Sequence, residues 1–262
     1  MRVLGQSLDP TPAPVAPAAG SGLNSLGRGS LRHKQQMRMS HVLCFVALLA
    51  FALSPCLGEP GGTPVASEAT NGSYAKDGSR KGLVILSVNW ARKWRCDGFQ
   101  NAQLRELGFD HLPTAKQKDD EMGDLVMEAP MRFSGRPEIV DYVFLVEPGE
   151  YALSFCSIKV GRSESDVAYF KYGRRQLISD GKAQGGSFTV AAGEAVYIGQ
   201  FFLNCSDKPT LWRYYEEGRN SFRSKMMSVR KKYPFLEVDK VQFRLFRTKI
   251  FGLPYELPPE EK

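Results

Sequence analysis

From residue 82 onward the chain is built of short apolar runs punctuated by Gly, Pro and Asp. Leu83-Val-Ile-Leu-Ser-Val-Asn-Trp90 is apolar and β-branched, bounded by Gly82 and the polar pair Arg92-Lys93, and predicts a strand. Gln103 to Phe109 fits a strand or a short helix. Thr114 to Asp124 is charged and predicts a loop, with a weak strand after it over Leu125–Glu128. Val167–Phe170, Leu211–Tyr214 and Val241–Leu245 predict further strands; the last alternates apolar with polar and should have one wet face.

Two segments predict hairpins. Ile139–Val146 runs through Glu147-Pro-Gly-Glu150 into Tyr151–Phe155, and Phe188–Val190 runs through Ala191-Ala-Gly-Glu194 into Ala195–Leu203. Pro148 fixes φ and Gly149 accepts positive φ, the requirement of a type II turn. Asp180 to Ser187 is glycine-rich without the order of a phosphate-binding loop, and predicts a flexible hairpin connection. One segment differs. Between Ser221 and Tyr233 the residues Phe222, Met226, Val229 and Tyr233 recur at helical spacing, with Arg223, Lys225, Arg230, Lys231 and Lys232 around them. Asn220 or Ser221 should cap this helix and Pro234 should stop it. The expected fold is all-β, an antiparallel sandwich of about seven to nine strands with one C-terminal amphipathic helix packing its apolar stripe on a sheet.

Upstream, Val42 to Leu53 is a run of twelve uncharged residues, preceded by Arg32, Lys34, Arg38 and His41 and followed by Ser54-Pro-Cys-Leu-Gly58. It falls short of the roughly 20 apolar residues of a membrane-spanning helix. A basic flank, a short apolar core and a small-residue exit are the parts of a secretory signal peptide. The 41 residues before it include a Pro/Ala/Gly tract with no means of building a core. Met37 and Met39 immediately precede the run, so the expected organisation is an over-extended or disordered segment over 1–36 and a signal peptide over 37–58. A flexible linker over 59–81, the sandwich over 82–254 and a tail over 255–262 complete the chain. Two exits are open. Cleavage after Gly58 suits an ordinary signal peptidase, whereas Leu53-Ser-Pro-Cys56 resembles a bacterial lipobox, with Pro55 departing from the small residue expected before the lipidated Cys56.

Removal of 1–58 takes Arg2, Arg28, Arg32, Lys34 and Arg38 against Asp9, so 30 of 35 basic and 27 of 28 acidic residues remain, and +7 falls to +3. That balance gives no expectation of a nucleic-acid partner. Cys96, Cys156 and Cys205 also remain. An oxidising compartment predicts one disulfide and one spare thiol. Cys96 and Cys205 fall where apolar runs give way to polar residues, which favours that pair slightly over the pairs involving Cys156.

Enzyme constellations are not visible. His111, in Phe109-Asp-His-Leu-Pro113, has no nucleophile signature beside it, and no pair of imidazoles or thiolates has metal-ligand spacing. No cofactor is expected, and the chain reads as a non-enzyme, with a hydrolase around His111 as an alternative. The chemistry-bearing pattern is aromatic and basic: Trp90-Ala-Arg-Lys-Trp94-Arg95, and Trp212-Arg-Tyr214. Exposed rings stack on flat apolar sugar faces, while Arg92, Lys93 and Arg95 favour carboxylate or phosphate. Opposed to this, Trp90 and Trp212 as core residues would simply be ringed by cations that snorkel.

Val146-Glu-Pro-Gly-Glu-Tyr-Ala-Leu153 and Val190-Ala-Ala-Gly-Glu-Ala-Val-Tyr-Ile-Gly199, with Tyr233-Pro-Phe-Leu236, resemble uncharacterised bacterial exported proteins and lipoproteins. Their domains are small sandwiches similar to transthyretin-like or immunoglobulin-like modules. The resemblance covers about residues 82–250 and rests on short strand-turn patterns. It implies a periplasmic location, or an outer-membrane one if Cys56 is lipidated, and it carries over no catalytic residue. The expected function is a non-catalytic binding or structural module of the cell envelope. Its expected partner is an anionic glycan or another envelope protein, with membrane contact only through a lipid anchor.

Overall fold

The structure, a computed structural model, describes residues 66–119, 122–130 and 139–260. All of them fall within one compact unit, Leu57–Lys262. The expected segments 1–36 and 37–58 and the lipidation site Cys56 lie outside the described residues. The chain runs α1 (Asn71–Asp77), β1 (Gly82–Asn89), β2 (Lys93–Cys96), β3 (Phe99–Leu112), β4 (Leu125–Glu128), β5 (Ile139–Val146), β6 (Gly149–Gly161) and β7 (Val167–Tyr172). It continues α2 (Arg174–Leu177), β8 (Ile178–Ser179), β9 (Lys182–Ala183), β10 (Ser187–Val190), β11 (Ala195–Asn204), β12 (Thr210–Tyr214), α3 (Arg219–Lys232) and β13 (Val241–Phe243).

The fold is an all-β sandwich. The first sheet has the order β12-β11-β1-β5, with β13 also beside β11; the second has the order β10-β6-β3-β2, with β4 beside β3 and β7 beside β6. Thirteen strands occur among the described residues, against seven to nine expected. Seven have five or more residues, and the excess consists of strands of two to four. Most pairings are antiparallel, but β11 runs parallel to both β1 and β13. The segment left ambiguous, Gln103–Phe109, is strand, inside β3.

A layer of helix makes the first sheet a buried one. Phe222, Met226 and Val229 of α3, with Tyr233 just beyond it, form the predicted stripe and pack on Leu83, Ile85, Val143 and Tyr197 from the outer face of that sheet. Val84, Leu86, Val88, Phe144, Val196 and Ile198 face the second sheet. Seven of the eight residues of β1 are therefore buried, which is why its sequence is continuously apolar rather than alternating. The helix starts after Gly218, whose φ of 74° is one that a residue with a side chain resists, and neither Asn220 nor Ser221 is its cap.

Both expected hairpins are corrected. β5 pairs with β1 in the first sheet while β6 pairs with β3, β7 and β10 in the second. Likewise β10 belongs to the second sheet and β11 to the first. Each turn is thus a corner that carries the chain across the sandwich. Turn chemistry dictates only how sharply the backbone reverses; burial decides which sheet receives the next strand. A β5–β6 hairpin would leave Tyr142, Phe144 and Val146 on the same layer as Leu153 and Cys156, with nothing opposite either set. The corner is held by the Tyr151 hydroxyl, which donates to the Glu147 carbonyl at 2.9 Å.

The expected linker is also corrected over 66–81. Glu68 bridges to Phe144 in the first sheet, Ala69 is buried, and Thr70 caps α1 through a reciprocal pair of bonds with Ser73. Tyr74 stacks on Phe235 with ring centroids 5.0 Å apart. Nor is 255–260 a free tail: Tyr255 stacks on Tyr215 at 4.5 Å, and Leu257 packs with it against the helix-side core.

Candidate binding surface

The aromatic and basic residues gather where the chain leaves β1. Between β2 and β3, Asp97 and Gly98 have φ of 36° and 73°, and Cys96 pairs with Phe99. Two consecutive positive φ values make the tight two-residue turn that Asp-Gly favours. Cys96 is bonded to Cys205, just past the end of β11, as the sequence favoured. The short hairpin of the second sheet is thereby stapled to the first.

On this hairpin Trp94 is 66% exposed. The Arg92 guanidinium lies over its ring, 5.4 Å from the centroid. Arg95 is exposed beside it with φ of 58°. Lys93 points the other way and sets its ammonium over Phe202, 5.5 Å from the ring centre. Phe202 is opposite Trp212 in the β11–β12 pair and stacks on Tyr214 at 3.5 Å. Trp212 is half-buried and Tyr214 is 39% exposed. The lysine next to Trp94 therefore touches the aromatic face that holds Trp212 and Tyr214. Phe202 was not singled out from sequence, although two adjacent aromatics in a strand, Phe201 and Phe202, must face opposite sides.

Trp90 is corrected from a candidate ligand contact to a core residue. It is 2% exposed, and its indole N–H donates to the Tyr142 hydroxyl at 3.0 Å. Burial raises the Tyr142 pKa, and the Trp90 bond offsets part of that rise.

His111 serves the corner after β5. Its Nε2 is 3.2 Å from the Pro148 carbonyl, a partner that only accepts, so this nitrogen carries a proton. The ring lies 4.9 Å from that of Tyr151, and the backbone N–H donates to Asp124. Nearby, Asp110 is fully buried and paired with Arg174 at 2.5 Å, while Lys116 pairs with Asp124 at 2.5 Å. These ion pairs hold the 114–119 loop and α2 against the second sheet. Among the described residues no group of three or more His, Cys, Asp or Glu side chains could hold a metal ion, and no helix is long and apolar enough to cross a membrane.

Cys156 is the spare thiol, buried between the sheets. Burial pushes it up to about 12 from 9.0, with Glu106 adding to the rise. Below pH 9 both folded and unfolded chains hold the proton. As pH rises from there towards about 12, only the unfolded chain releases it, so this group's contribution to stability is lost across that window. A thiol reagent near about pH 8 should label Cys156 only after denaturation. Labelling of the native protein would show that the sheets open.

Comparison with protein families, with curated proteins and with solved structures found no match to the chain.

Proposed function

We propose that this is a non-catalytic exported module of the bacterial cell envelope that holds an acidic polysaccharide on the Trp94 surface. The observation that carries this reading is the indole of Trp94, mostly exposed, with the Arg92 guanidinium over its ring, on a disulfide-stapled hairpin that also carries the exposed Arg95. A large exposed ring contributes little to a core, and rigid aromatic planes with charge-assisted donors suit a ring bearing a carboxylate. The disulfide supports an oxidising compartment, and with it the export reading. The sandwich fold is consistent with the resemblance to exported bacterial proteins.

Titration with polygalacturonate and with neutral dextran tests the reading. The polyanion should bind and dextran should not, and binding should weaken as salt shortens the screening length below about 10 Å. Equal binding of dextran, unaffected by salt, would remove the charge from the account.

A second reading, docking of another envelope protein by strand addition, is favoured by β7. Among the described residues this strand pairs only with β6, and Val167, Tyr169 and Tyr172 on it are 42%, 51% and 41% exposed. Tyr169→Asp should then abolish complex formation with the partner and leave polyanion binding intact; unchanged complex formation would exclude this edge.

A further inference from the structure

A second site is built on different elements. The segment after β13 lies beside the start of α3, and together with Arg213 of β12 they line a groove of about 680 Å³. Arg213 reaches it because position 199 is glycine: a Cβ there would lie 2.9 Å from the Arg213 Cγ, and φ is 112°. The Arg213 side chain donates from its two terminal nitrogens to the carbonyls of Phe246 and Leu253. It is 5% exposed, its Nε has no partner, and no carboxylate pairs with it among the described residues. The Tyr197 hydroxyl is likewise buried without a partner, its ring against Phe222 and Phe243 of the groove wall.

The other arginines of the groove differ in how far they are neutralised. Glu194 holds Arg244 in a two-point pair at 2.6 and 2.7 Å. Arg219 lies 3.4 Å from Glu260. Arg247 is exposed, and its side chain has no hydrogen bond or ion pair among the described residues. Arg213 and Arg247 thus face the groove without an ion pair among the described residues, in a lining that also holds one carboxylate, Glu256. The Arg213 guanidinium is held by two carbonyls and by the Tyr215 ring, 6.0 Å from its centre, but by no ion pair among the described residues. An oxyanion would offset the cost of its burial through charge-assisted bonds. Burial lowers the Arg213 pKa, the direction expected of a desolvated cation.

We propose that this groove binds a small ligand bearing an oxyanion, a carboxylate or a phosphate, held between Arg213 and Arg247 with an apolar ring face against Phe243 and Tyr255. It is independent of the Trp94 surface and stands or falls separately. The probes are inorganic phosphate, glucuronate and glucose, titrated into the exported chain while backbone amide resonances are followed. Phosphate and glucuronate should saturate shifts at residues 244–257, glucuronate more tightly because it also offers a ring, and glucose should not. Arg247→Gln removes an exposed side chain that makes no hydrogen bond or ion pair among the described residues, so the fold should be retained, and glucuronate affinity should fall at least about tenfold. Trp94→Ala should leave the shifts unchanged. Absence of saturable shifts with both anions, or Arg247→Gln binding glucuronate as well as the natural chain, would overturn the proposal.

Discussion

Trp90→Ala should destabilise the fold by about 3–5 kcal/mol, whereas Trp94→Ala, four residues on, should cost no more than about 0.5 kcal/mol. Trp90 fills space between the sheets and is 2% exposed. Removing it leaves a cavity and takes from Tyr142 the donor that bonds its hydroxyl. The Trp94 ring touches the Arg92 guanidinium and is otherwise largely in solvent. Urea unfolding of the two variants measures the contrast. A large loss for Trp94→Ala would mean that its ring is packed and that the exposed plane does not exist in solution.

Loss of the Cys96–Cys205 bond carries the second large effect. The cysteines are 109 residues apart in sequence, and closing a loop of that length contributes about 4–5 kcal/mol on the chain-entropy view, with measured values commonly about 2–4. The double replacement Cys96→Ala, Cys205→Ala should therefore lower stability by about 2–5 kcal/mol. The bond joins the Trp94 hairpin to the end of β11, so binding at that surface should weaken as well as folding. Equal stability of the oxidised and the doubly replaced chains would show that the native contacts alone hold the hairpin in place.

Legibility in the sequence followed the range of the interaction involved. The stripe of α3 was readable because four apolar side chains at helical spacing have to share one face. The disulfide was readable from where two cysteines sit at the ends of apolar runs. Sheet membership was not readable: Pro148-Gly149 and Gly193-Glu194 signal reversal equally well for a hairpin and for a corner between sheets. The pattern of β1 favours the core reading of Trp90 over the ligand reading. Val84, Leu86 and Val88 face the second sheet, and position 90 continues that alternation, so its ring belongs inside. The Asp97-Gly98 turn, a strong short-range hairpin signal, would have placed Trp94 on a hairpin arm. The Arg213 groove had no local signature, since it depends on a glycine in β11, an arginine in β12 and carbonyls more than thirty residues further on.

The exposed aromatic plane is the central claim, and the affinity of Trp94→Ala and Trp94→Phe for polygalacturonate tests it most directly. Calorimetric titration of folded, disulfide-bonded protein should show binding reduced at least about tenfold by Trp94→Ala and largely retained by Trp94→Phe, because a smaller ring still offers a stacking face. Unchanged affinity in Trp94→Ala, with the fold verified by its unfolding midpoint, would contradict the claim that this surface is the binding site.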